Sequence, residues 1–86
     1  VDIDWEFPAS ASYAGATTRP ADTKNFTLLL AELRRQLDDL GRSYNRSYLL
    51  TIAAPAGAQA KRVELEQIHR YLDFINLMTY DFYGAW

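Results

Sequence analysis

The sequence predicts an α/β chain in which parallel strands are joined by helical crossovers, and three observations carry that reading. Strand-like and helix-like stretches alternate as strand, helix, strand, helix, strand. Two of the three strands are almost wholly apolar, and the run at 48–54 has the pattern of a strand covered on both faces. The longer helix carries one leucine stripe, so it has a single face to lay against a sheet. Right-handed crossovers then gather the strand C-terminal ends on one edge of a sheet or barrel, where folds of this class carry their chemistry.

The first strand is VDIDWEF, residues 1–7, ended by Pro8. Val1, Ile3 and Trp5 alternate with Asp2, Asp4 and Glu6 at strict period two, so an extended chain sends acids and apolar side chains to opposite faces. By that parity Trp5 faces the helices and packs. Residues 9–21 form a small-residue loop punctuated by Gly15 and Pro20; it is long for a strand-to-helix connection and is expected to line the site to which Glu6 belongs. From Asp22 or Thr23, either of which can cap, a helix is predicted to about Leu40, with Phe26, Leu29, Leu30, Leu33, Leu37 and Leu40 inward and Gly41 as its stop. The charges Glu32, Arg34, Arg35, Asp38 and Asp39 fall on its outer face. YLLTIAA, residues 48–54, reads as a buried strand ended by Pro55 and Gly57. After a short loop over 56–62, Val63 to Leu72 read as a second helix with Leu65, Ile68 and Leu72 inward, and FINLMTY, residues 74–80, as the third strand.

Composition narrows the function classes. A formal net charge of -2, from nine basic and eleven acidic residues, offers no basic surface for nucleic acid. No run of about eighteen apolar residues is present to span a membrane, and no signal-peptide pattern occurs in this stretch. Without cysteine there is neither a disulfide framework nor a thiolate metal site. A strand rich in chemistry begins at residue 1 and a second such segment stops at Trp86, which is expected of a piece of a longer protein, incomplete at both ends.

Three carboxylates at i, i+2 and i+4 of one strand face span roughly 13 Å, with neighbours about 6.5 to 7 Å apart at Cα. One cation wants its oxygens within about 2.0 to 2.6 Å, so a magnesium or calcium site is the weaker reading. A proton relay is the stronger one. Neighbouring acids do not all ionise cheaply, one is held protonated, and Glu6, the longest and nearest the strand end, suits a general acid. The bland alternative is a strand whose acids meet Lys or Arg partners or simply face water.

At this point the residues resemble a known family. VDIDWEFP is similar to the latter part of the DGxDxDxE signature of family 18 glycoside hydrolases, the chitinases; LTIAAPAG at 50–57 and MTYDFYGAW at 78–86 look like the next two strand motifs in order. The resemblance covers essentially the whole chain. It implies strands four to six of a (β/α)8 TIM barrel, hence roughly one third of a catalytic domain, since a complete barrel takes about 250 residues. It further implies hydrolysis of β-1,4-linked N-acetylglucosamine in chitin or chitooligosaccharide with retention, no cofactor, no metal and an extracellular setting. In this family the substrate's own acetamido oxygen attacks the anomeric carbon, so one protein acid suffices.

Carried over by resemblance, Glu6 protonates the glycosidic oxygen and later activates water, Asp4 holds the acetamido group, and Asp2 exchanges charge stabilisation with Asp4. Tyr80 would donate to the acetamido carbonyl. Asp81 would sit near the reacting sugar, Met78 would line the floor, and Trp86 would offer an aromatic platform on the leaving-group side; Phe82 and Tyr83 are scaffold. An endo-β-N-acetylglucosaminidase shares the acid row, and a chitin-binding lectin on the same barrel normally replaces the acid at Glu6. His69, beside Glu66 and Arg70, reads as a solvated surface residue. Asn25-Phe26-Thr27 and Asn45-Arg46-Ser47 are formal glycosylation sequons that recur by chance.

Overall fold

Alternating elements produce a three-stranded parallel sheet in the order β1-β2-β3, seen in a computed structural model that describes residues 1–9 and 18–79. The elements are β1 (Asp2–Ile3), α1 (Asp22–Tyr44), β2 (Thr51–Pro55), α2 (Leu65–Ile68) and β3 (Phe74–Met78). A 3-10 turn at Gly57–Arg62 precedes α2, and another at His69–Tyr71 follows it. Asp2 pairs with Thr51 and Ile3 with Ile52; β2 then pairs with β3 from Thr51 opposite Phe74 to Pro55 opposite Met78.

That register sorts side chains by face, because residues paired across a parallel ladder point the same way. Ile3, Ile52 and Ile75 share the face that meets the helices, where Phe26, Leu30, Leu50, Ile52, Ala54, Val63 and Ile68 form the buried core. Each fully buried Leu or Ile side chain stabilises by about 1.5 to 3 kcal/mol over its exposed state. Asp2, Thr51 and Phe74 share the opposite face, and Phe74 remains 52% exposed there.

The elements follow the sequence reading with corrections. Leu29 and Leu40 are exposed, not inward. The contact seam is Phe26, Leu30, Leu33, Leu37 and Gly41, and at about 100° per residue Leu29 and Leu40 fall roughly 80° and 60° from its middle. Gly41 does not stop α1, which runs on to Tyr44. Asn45 takes the left-handed conformation with φ 54° and ψ 49°, and Arg46 donates its N–H back to the Gly41 carbonyl at 2.8 Å. Glycine is needed at 41 for closeness, since a Cβ there would overlap the Arg46 carbonyl oxygen. The cap residue is Ala21, while Asp22, in the first turn, accepts bonds from the Arg19 backbone and guanidinium and from Asn25.

The second helix is shorter than expected, and Leu65 is 37% exposed while Val63 is buried. Thr27, buried on α1, donates its hydroxyl to Glu64 Oε1 at 2.6 Å and ties the two helices. The ladder of β1 covers only Asp2–Ile3, and β2 includes Pro55. Arg34 is not on the outer face: it turns inward to bond Asp73 Oδ2 at 3.0 Å and the Tyr48 carbonyl at 2.8 Å. Asp73 Oδ2 also accepts the Leu50 N–H at 2.7 Å, and the Asp73 N–H returns to the Leu50 carbonyl at 2.8 Å. The Leu50 amide holds the Asp73 carboxyl below the usual carboxylate range; desolvation opposes it, and the Arg34 guanidinium adds to the lowering.

Candidate active site

The acid row is built by backbone alternation. Asp2, Asp4 and Glu6 are exposed, whereas Ile3, Trp5 and Phe7 between them are half-buried. Trp5 meets Phe26 of α1 edge to face, with ring centroids 5.6 Å apart and planes at 82°, as its parity requires. Asp2 stands on the opposite face within the β1 ladder, beside Thr51, and Asp4 and Glu6 follow past the end of that ladder, toward the strand C-terminal edge. The Glu6–Phe7 peptide bond is cis.

Asp2 is fixed from the neighbouring strand: Thr51 donates its hydroxyl to Asp2 Oδ1 at 2.6 Å. Met78, half-buried, ends β3 opposite Pro55 in the same alternating set as Thr51 and Phe74, so it shares the face of Asp2. Tyr80, Asp81 and Trp86, and most of the loop after Pro8, lie outside the described residues.

All nine Lys and Arg fall within the described residues, and the ion pairs found there engage Asp22, Glu32, Asp38, Asp39 and Asp73. Among the described residues, therefore, no salt bridge explains Asp2, Asp4 or Glu6, and the reading of the row as an ion-paired strand face loses its ground. Nor, among the described residues, do three of the His, Asp and Glu side chains gather closely enough to hold a metal ion. The described residues thus present a row of solvent-exposed carboxylates, with Asp2 bonded to a hydroxyl. His69 is exposed, in keeping with a surface role.

A groove of about 610 Å³ lies elsewhere, lined among others by Arg34, Gly41, Arg46, Tyr48, Arg70 and Asp73. It sits where the chain enters β2 and β3, at the strand N-terminal ends. In α/β folds that edge serves stability, whereas chemistry occupies the C-terminal edge. Sequence reasoning missed Thr51 as part of the site. Its signal was a hydroxyl within the otherwise apolar run LLTIAAP.

Comparison with known proteins gives a consistent result. The model of glycosyl hydrolases family 18 matches residues 1–86. Chitinase A1 of Niallia circulans is 49% identical over 87 residues, which cover 100% of this chain and 12% of that protein. Chitinase A of Pseudoalteromonas piscicida is 42% identical over 88 residues, covering 100% of this chain and 11% of its own length. Among solved structures, chitinase ChiA74 from Bacillus thuringiensis superposes with a TM-score of 0.91 at 46% identity, over 99% of this chain and 14% of that one. A family 18 N-acetylglucosaminidase from Paenibacillus barengoltzii superposes with a TM-score of 0.87 at 48% identity, over 93% of this chain and 24% of the other. The chain thus spans well under a quarter of the length of the curated relatives named here.

Proposed function

The chain belongs to family 18 of the glycosyl hydrolases, and from that premise we propose that it is one segment of a chitinase catalytic domain, covering about strands four to six of a (β/α)8 barrel. The observation that carries this reading is the exposed, period-two acid row Asp2, Asp4 and Glu6, which makes no salt bridge among the described residues. Its likeness to proteins named chitinase, at 42% to 49% identity over the whole chain, supports the same substrate class. The substrate is chitin or chitooligosaccharide, and the parent protein acts outside the cell.

Glu6 protonates the oxygen of the β-1,4 bond as it breaks. The 2-acetamido oxygen of the sugar attacks the anomeric carbon from the opposite side, forming an oxazolinium-like intermediate. Glu6, now a carboxylate, takes a proton from water, which opens that intermediate with net retention. Asp4 orients the acetamido group and balances its positive charge, and Asp2 shares the compensating charge with Asp4. Tyr80 donates to the acetamido carbonyl, with Asp81 near the reacting sugar, Met78 on the floor and Trp86 as a stacking surface.

The N-acetylglucosaminidase among the solved relatives favours a second reading, in which the parent releases single N-acetylglucosamine units. The intact Glu6 speaks against a lectin. The test of the mechanism is the stereochemistry of the first product from the segment completed to a whole barrel, followed by NMR. The proposal expects the β-anomer first and no cleavage of substrates whose 2-acetamido group is removed; an α-anomer, or turnover without the acetamido group, contradicts it.

A further inference from the structure

We propose that Thr51 is a positioning residue of the acid row, whose hydroxyl fixes the orientation of the Asp2 carboxyl group beside Asp4. This rests on the chitinase reading and adds a residue to it. Three observations lead there. Thr51 is 6% exposed on a strand whose other members, Ile52, Ala53, Ala54 and Pro55, carry no polar side-chain atom. Its hydroxyl bonds across 49 positions of sequence to Asp2 Oδ1 at 2.6 Å, within the range of about 2.5 to 2.7 Å typical of a hydroxyl on a carboxylate. The backbone makes the meeting obligatory, since Asp2 and Thr51 are register partners and the Thr51 N–H donates to the Val1 carbonyl at 2.9 Å.

A hydroxyl has one proton to give. Given to Asp2, it occupies Oδ1, leaving Oδ2 as the oxygen through which Asp2 can act on its neighbour. Asp4 and Glu6 follow Asp2 in the acid row, and the Val1 nitrogen that precedes it bonds the Leu49 carbonyl at 2.7 Å. On the shared face β2 presents Thr51 and Ala53, and β3 presents Phe74, Asn76 and Met78. Tyr80 and Asp81 lie outside the described residues.

The test measures kcat and KM for the segment completed to a whole domain with the remaining strands of the Niallia circulans enzyme, as wild type, Thr51→Val and Thr51→Ser. Losing the bond that orients Asp2 should lower kcat about tenfold with KM unchanged, the size expected for one hydrogen bond to a carboxylate. Thr51→Ser should restore the wild-type kcat, and in an Asp2→Asn background Thr51→Val should lower kcat no further. An unchanged kcat in a folded Thr51→Val overturns the proposal, as does a loss that persists with Asp2→Asn. If Thr51→Val fails to fold, Thr51→Ala is read in its place. Glu6→Gln is assayed alongside: should it keep full turnover, the chitinase reading fails and this inference with it, whereas its loss beside an unchanged kcat in Thr51→Val sinks the Thr51 inference alone.

Discussion

Replacing Gly41 by Ala sets two effects against each other, and the structure says which wins. Within a helix, Ala in place of Gly stabilises by about 1 kcal/mol through reduced backbone freedom. Residue 41 is buried inside α1, however, where the returning chain crosses it, and the new Cβ would overlap the Arg46 carbonyl oxygen. The obstacle is backbone, so relief requires the turn at 45–46 to shift and stretches the Arg46 N–H bond to the Gly41 carbonyl, now 2.8 Å. Overpacking costs about 1 to 3 kcal/mol and the weakened bond about 1 kcal/mol. The net is a destabilisation of about 2 kcal/mol, which lowers Tm by about 4 to 8 °C in a domain of barrel size. Asn45→Gly is the control. Asn45 holds the left-handed conformation at φ 54°, which glycine adopts freely, so that change should be nearly neutral. Thermal and urea unfolding of the completed domain decide the matter: an unchanged or raised Tm in Gly41→Ala, or a larger loss in Asn45→Gly, refutes the reasoning.

Two other predictions follow from the same packing. Asp73 has a depressed folded-state proton affinity, so its contribution is present above the ordinary carboxylate value of 3.8 and is lost as pH falls through the lower folded value; Asp73→Asn should lower Tm at pH 7, with the gap to wild type closing below about pH 4, and a gap constant from pH 7 to 3 would count against the Arg34–Asp73–Leu50 latch. Among the described residues β1 and β3 are open edges and Phe74 is half exposed, so the isolated chain should unfold without a cooperative transition and should not hydrolyse chitooligosaccharide; a sharp two-state melt monitored by circular dichroism would contradict this.

What the sequence made legible is local and periodic. Period two put Asp2, Asp4 and Glu6 opposite Ile3 and Trp5, and the structure keeps that separation, with Trp5 against Phe26. The apolar run around Ile52 announced the central strand. What stayed hidden depends on residues far apart in the chain. Nothing local distinguishes Arg34 from Arg35, yet Arg34 lies over the strand entrances beside Asp73 while Arg35 pairs in solvent with Glu32 and Asp39, a contact that pulls the Glu32 carboxyl down to about 2. Gly41 looked like a helix stop because glycine most often is one, and only the path of residues 45–46 reveals a close approach. Thr51 is the instructive omission at the site. Its partner lies 49 positions away and becomes visible only when the ladder sets Asp2 beside it.

The central claim is that Glu6 is the general acid of a chitin-cleaving site, and hydrolysis of a chromogenic chitobioside by the completed domain tests it most directly, comparing Glu6 with Glu6→Gln. Glutamine keeps the shape and removes the transferable proton, so turnover should fall by about 10² to 10⁴ or more while chitooligosaccharide binding persists. Undiminished turnover in Glu6→Gln would contradict the assignment, and binding without turnover in both forms would mark the site as a lectin.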